Sequence, residues 1–120
     1  MRYKSFEEMP VWQKAHKLVI KLWKRTEIFP KEDTYTLARQ LRNSVLSISA
    51  NIAEGFGRHH SLDKARFYIN SRGSLYETAN HLHVARDLSR MNLSEYQEMI
   101  DCLRDVGFDL NKLIKSIKLA

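Results

Sequence analysis

Apolar residues recur at three- and four-residue spacing along nearly the whole chain, and they nowhere alternate with period two over a useful length. That periodicity predicts helices and argues against strands. In the first segment the stripe is Trp12, Ala15, Val19, Leu22 and Trp23, with Pro10 suited to a first helical turn. Phe29-Pro30 ends it, because the residue before a proline avoids helical geometry. The second segment opens near Asp33 or Thr34 and repeats Ala38, Leu41, Val45, Ile48 and Ile52; Gly55 and Gly57 are expected to close it as left-handed caps. The third takes Ser61 as N-cap, with Asp63 behind it, and carries Tyr68, Leu75, Ala79 and Leu82. After a joint at Met91-Asn92-Leu93, Ser94 and Gln97 fit a capping box for a fourth helix. There Tyr96, Ile100, Leu103, Leu110, Ile114 and Ile117 repeat toward the C-terminus. The predicted helices span about 9–28, 34–56, 61–90 and 94–118. Short joints make neighbours antiparallel, so the expected fold is all-α: one domain, an up-down-up-down antiparallel four-helix bundle.

The second helix is unusual because it carries no charge from Asn43 to Ala53. A solvent-facing helix normally shows Lys or Glu on its outer side. On a wheel, Leu41, Val45, Ile48 and Ile52 share one narrow arc, and Thr36, Asn43, Ser47, Ala50 and Glu54 lie opposite. Charge depletion with small residues suits a subunit interface, where another helix must approach closely. Gly73 points the same way. Glycine inside a helix costs about 1 kcal/mol relative to alanine, and on the wheel Gly73 shares an outward stripe with Arg66, Asn70, Glu77 and Asn80. The expected homo-oligomer interface therefore comprises Asn43, Ser47, Ala50, Asn51, Glu54, Gly73 and Glu77.

Four segments stand in a distinctive order: Val11-Trp12-Gln13-Lys14-Ala15, Gln40-Leu41-Arg42, Asn51-Ile52-Ala53-Glu54-Gly55 and Gly73-Ser74-Leu75-Tyr76-Glu77. From Phe6 to about Leu113 the chain resembles the bacterial four-helix-bundle proteins encoded in intervening sequences of large-subunit ribosomal RNA genes, a group related to the accessory variability proteins of diversity-generating retroelements. The resemblance implies a four-helix bundle that assembles into a pentameric barrel with a nucleic-acid-binding role. Ser71-Arg72 departs from the pattern, where Ile-Ala is expected in many relatives.

Composition narrows the remaining classes. The chain has 120 residues, a formal charge of +6 and one cysteine, Cys102, which excludes an internal disulfide and a multi-cysteine zinc site. No apolar run approaches the roughly 20 residues of a membrane span, and the N-terminus lacks the apolar core of a signal peptide. A cytoplasmic protein without membrane contact is the expectation. Glu54 and Glu77 form the only tempting carboxylate pair for a metal-dependent hydrolase, yet Glu54 has no acid three or four residues away. His59 and His60 are adjacent, and His81 and His83 sit two apart on different helical faces. Arg72 precedes His81 by nine positions, which misses the Arg-x(4–6)-His spacing of helical ribonucleases. Gly55-Phe56-Gly57 follows no strand and reads as a helix terminator. The expectation is therefore no enzyme, with no catalytic residue, metal or cofactor.

The better functional lead is basic. Lys14, Lys17, Lys21, Lys24 and Arg25 share one side of the first helix, and Arg2 and Lys4 precede them. Repeated around an oligomer, such a stripe would offer many phosphate contacts to RNA or DNA and bind with steep salt dependence. Two other readings stay open: a protein-binding scaffold whose charge is incidental, and the hydrolase built on Glu54 and Glu77.

Overall fold

A computed structural model describes residues 3–117. It contains four long helices, α1 (Pro10–Thr26), α2 (Leu37–Phe56), α3 (Ser61–Asp87) and α4 (Leu93–Ser116), with short 3-10 turns at Phe6–Glu8 and Lys31–Asp33. Each helix packs on its neighbours in a ring, α1 on α2, α2 on α3, α3 on α4 and α4 back on α1. Cross-helix pairs run in opposite senses along three seams, Ser44 with Thr78 and Ile48 with Ser71, His83 with Tyr96 and Arg72 with Asn111, Arg25 with Glu95 and Lys14 with Asp109, while at the fourth Thr26 at the end of α1 meets Arg42 near the start of α2. The result is the expected up-down-up-down antiparallel four-helix bundle. Among the described residues there is no strand, and no helix is long and apolar enough to cross a membrane.

The core follows the predicted stripes in α2, where Ala38, Leu41, Val45, Ile48 and Ile52 are all buried. In α1 the buried set is Val11, Ala15, Leu18, Val19, Leu22 and Thr26. Trp12 and Trp23 flank that set instead of belonging to it. Trp12 is only partly buried and Trp23 is 36% exposed. Tyr68, Leu75 and Leu82 of α3 face inward with Ser71 and Thr78, while Ala79 sits at the edge. Ile114 and Ile117 of the fourth stripe are also partly buried rather than central.

The helix ends differ from the sequence pattern in instructive ways. The second helix does not open at Asp33 or Thr34; a 3-10 turn occupies Lys31–Asp33 and α2 begins at Leu37. Gly55 and Gly57 are not left-handed, for no glycine among the described residues has positive φ. Gly55 lies inside α2 because Tyr68 of α3 presses against it: a Cβ there would sit 2.6 Å from Tyr68 Cε1. The end of α2 is instead capped by Lys64, whose Nζ donates to the carbonyls of Gly55 at 3.2 Å and Phe56 at 2.8 Å. Burial there lowers the Lys64 pKa below the ordinary lysine value.

His60, not Ser61, is the N-cap of α3. That helix stops at Asp87, short of the predicted Arg90, because Ser89 turns left-handed (φ 60°). Arg90 N–H then reaches the Ala85 carbonyl at 2.8 Å and Ser89 N–H the Arg86 carbonyl at 3.0 Å. Those two bonds form a Schellman motif with serine where glycine is usual. The capping box of α4 is Asn92 with Glu95, not Ser94 with Gln97. The predicted end of the fourth helix at residue 118 lies outside the described residues.

Candidate nucleic-acid and assembly surfaces

The uncharged run in α2 has an explanation inside the monomer. A seam of small polar side chains joins α2 to α3: Ser71 Oγ donates to the Ile48 carbonyl at 2.7 Å, Ser74 Oγ to Ser47 Oγ at 2.8 Å, and Thr78 Oγ1 to Ser44 Oγ at 2.9 Å. Asn51 Nδ2 donates to the Ser47 carbonyl at 2.9 Å on the same side. Small side chains let two helix axes come close together, and each buried hydroxyl needs a partner, which a facing helix supplies. Ser47 and Asn51 are thus half-buried and engaged with their own chain. Their size and lack of charge follow from the approach of α3, with no neighbouring subunit required. Ser71, the departure from the family pattern, is fully buried and makes one of these bonds.

Outside that seam the expected assembly residues are exposed. Asn43, Ala50 and Glu54 of α2 and Gly73 and Glu77 of α3 all face away from the core. A Cβ built on Gly73 would meet nothing within 4 Å, so no packing inside the monomer requires glycine there. Around it, Leu62, Ile69 and Tyr76 are 71%, 44% and 64% exposed. They recur every seven residues, which lays one apolar line along the helix surface opposite Leu75 and Leu82. A helix with apolar residues on two opposite sides is unusual for a protein that stands alone.

The lysine stripe divides. Its α4 side is met by acids: Lys14 Nζ lies 3.2 Å from Asp105 Oδ2 and 2.9 Å from Asp109 Oδ2, and Lys21 Nζ 3.1 Å from Glu98 Oε2. The hydrogen bond to Asp109, then the one to Asp105, raises the Lys14 pKa above the ordinary lysine value. Arg25 grips Glu95 through two bonds, Nε to Oε2 at 2.8 Å and an Nη to Oε1 at 3.0 Å, and also donates to the Arg90 carbonyl at 2.9 Å. Arg25 holds the Glu95 carboxyl below the usual carboxylate range, helped by the Asn92 backbone N–H.

Lys17 and Lys24 are different. They are exposed and make no ion pair among the described residues. Lys4 is exposed near the start of the bundle, and Arg2 lies outside the described residues. The acids of α4 that face α1 were visible in the sequence as Glu95, Glu98, Asp105 and Asp109, spaced to share one helical side.

The carboxylate pair does not come together as a catalytic centre. Glu54 Oε2 accepts from Arg58 at 2.9 Å one turn on, and both Glu54 and Glu77 are exposed. Among the described residues no group of three His, Cys, Asp or Glu side chains converges on a point where a metal could sit. Cys102 is partly buried in a shallow groove of about 390 Å³ between α1 and α4, with Leu18 beside it and Lys14, Lys17 and Lys21 at the rim.

A family model for the 23S rRNA-intervening sequence protein matches residues 7–112. The chain belongs to that family. Among solved structures, the chain is similar to a protein of unknown function from the S23 ribosomal protein family of Bacteroides thetaiotaomicron, with a TM-score of 0.83 at 18% identity. The match covers 88% of this chain and 96% of the other. At that identity the likeness speaks for the shared bundle fold alone. No curated protein matches the chain.

Proposed function

We propose that this intervening-sequence protein is a non-enzymatic, cytoplasmic helical bundle that self-associates and binds RNA or DNA weakly through phosphate contacts. Gly73 carries the assembly half of the reading: a helix-interior glycine whose added Cβ would meet no atom of the described residues within 4 Å, set in a line of exposed apolar residues. Leaving that line in water forgoes about 25 cal/mol per Å² of apolar surface, and a second copy of the chain would cover it. A five-membered ring accords with the family resemblance. The nucleic-acid half rests on the net charge of +6 and on Lys17 and Lys24, which no internal acid neutralises among the described residues. Lys14, Lys21 and Arg25 drop out of the phosphate-binding set, since an incoming phosphate would have to displace a carboxylate already in place.

That neutralisation is also the observation favouring the second reading, a protein-binding scaffold with incidental charge. Salt separates the two. Phosphate contacts predict affinity for a generic oligonucleotide that falls with log salt, with a slope of about −0.7 per contact on a single strand. Undetectable affinity at low salt, or affinity indifferent to salt, leaves the scaffold reading. For assembly, light scattering of the unaltered chain gives an oligomer mass, and Ala50→Glu gives a monomer with unchanged helical circular dichroism. A monomer before any substitution refutes self-association.

A further inference from the structure

The exposed side of α1 toward α2 holds something the lysine stripe did not lead to. Trp12 and His16 stack with ring centroids 4.7 Å apart and planes within 9°, and Phe6 abuts Trp12 edge-on at 5.1 Å. His16 ends this stack and is exposed. One turn further lies Ile20, 43% exposed, and then Trp23, 36% exposed. The guanidinium of Arg42 from α2 lies 4.9 Å over the Trp23 ring, oriented by its Nε donating to Thr26 Oγ1 at 2.8 Å. Lys17 and Lys24 lie on the outer face of α1 beyond Ile20, Lys17 also reaching the rim of the groove toward α4. No carboxylate occurs in α1 at all, and none pairs with Arg42 among the described residues.

We infer that His16, Ile20 and Trp23, flanked by Lys17, Lys24 and Arg42, form a docking track for a single-stranded nucleic acid. This deepens the nucleic-acid half of the proposed function and rests on it. Unpaired bases offer apolar π-faces to flat side chains, while the backbone seeks fixed cations, and that combination is how proteins hold single strands without reading sequence. His16 and Trp23 are seven residues apart, about 10 Å along the helix, which spans about three stacked nucleotides at about 3.4 Å each. Arg42 suits both tasks, since a guanidinium stacks on aromatic rings and keeps N–H groups for phosphate. A duplex hides its base faces, so the track favours single strands. A second copy of the chain fits this face poorly, because a symmetric pairing would set Lys17 and Lys24 against their equals.

The test is fluorescence anisotropy of a labelled short oligouridylate, with a duplex of equal length as comparison, across a salt series. Trp23→Ala is expected to weaken oligouridylate binding at least about fivefold while leaving the salt slope unchanged, as the loss of one stacked base predicts. The surface double variant Lys17→Glu/Lys24→Glu is expected to weaken binding and flatten the slope by about 1.4, at about 0.7 per contact. That variant decides the matter if Trp23→Ala fails to fold. Binding that both variants leave at wild-type strength overturns the track while the nucleic-acid reading stands. No binding by the unaltered chain at low salt removes both. A duplex held as tightly as the single strand refutes stacking, and a Trp23→Ala that alters oligomer mass instead of binding makes the face an interface between copies.

Discussion

The same substitution at two helical glycines should move stability in opposite directions. Replacing glycine by alanine inside a helix gains about 0.8–1 kcal/mol when the new methyl meets nothing. Gly73 meets that condition, with no atom within 4 Å of the added Cβ. Gly73→Ala should therefore raise unfolding free energy by about 1 kcal/mol and Tm by about 3–6 °C for a chain of this size. At Gly55 the new Cβ would lie 2.6 and 2.9 Å from the Tyr68 ring and 3.2 Å from Phe67 Cβ. Tyr68 is 3% exposed and its rigid ring has nowhere to go. Overpacking of that kind costs about 1–3 kcal/mol, so after the helix gain Gly55→Ala should lose up to about 2 kcal/mol. Urea unfolding followed by circular dichroism reads both, and it should be repeated over a range of protein concentration because self-association adds a concentration-dependent term. If Gly73 faces another subunit, its gain shrinks or reverses as concentration rises. Midpoints that move the same way in both variants, or a Gly73→Ala that destabilises at the lowest concentration, would refute the reasoning.

Glu95 joins the capping box of α4 to Arg25 of α1, and its pKa is held below the ordinary glutamate value of 4.5. A depressed carboxyl contributes stability above its unfolded pKa and loses it as pH falls through the folded one; Glu95→Gln should thus cost about 1 kcal/mol at neutral pH, with the two unfolding curves converging in acid as pH falls through the lowered Glu95 pKa. A gap that persists undiminished at low pH would assign the cost to packing. Ser89 holds φ at 60° in a Schellman motif, a conformation that costs a non-glycine residue about 1 kcal/mol. Ser89→Gly should stabilise the bundle by up to that amount in thermal unfolding, and a loss would mean that the serine side chain supports the turn.

How much of this was legible in the sequence depends on which neighbour decides each residue. The stripe of α2 is legible in the sequence because Leu41, Val45, Ile48 and Ile52 obey helical period and are all fully buried. Trp12 and Trp23 obey the same period but sit at the flank, where Phe6 and His16 cover one ring and Arg42 the other; one helix alone cannot reveal those partners. Ser94 with Gln97 and Asn92 with Glu95 both fit a capping box, and only the second lets the carboxylate also meet Arg25. The lack of charge from Asn43 to Ala53 suggests a subunit face opposite the core stripe, whereas Ser44 and Ser47 bond to α3 and Asn51 bonds back to Ser47 within α2. Asn43 and Ala50 are exposed. The lysine stripe was counted without its counter-charges, although the spacing of the α4 acids announced a facing side.

Charge, more than shape, distinguishes the sides of this bundle. Three of the five cations of α1 pair with four acids of α4, which leaves Lys17, at the rim of the α1–α4 groove, and Lys24 without an ion pair among the described residues, and Trp23 on the flank toward α2. On α2, Arg42 turns toward that flank to stack on Trp23, while the α3 seam occupies the opposite side, and Asn43 and Ala50 lie between. The proposed assembly face thus borders the proposed track. Self-association would set the tracks of successive copies side by side, so that a long strand could engage several at once while a short one engages a single track. Avidity then depends on assembly even though no residue of the assembly face touches nucleic acid. On that proposal Ala50→Glu should weaken anisotropy-measured binding of long strands and leave short ones as they were, whereas Trp23→Ala should weaken both.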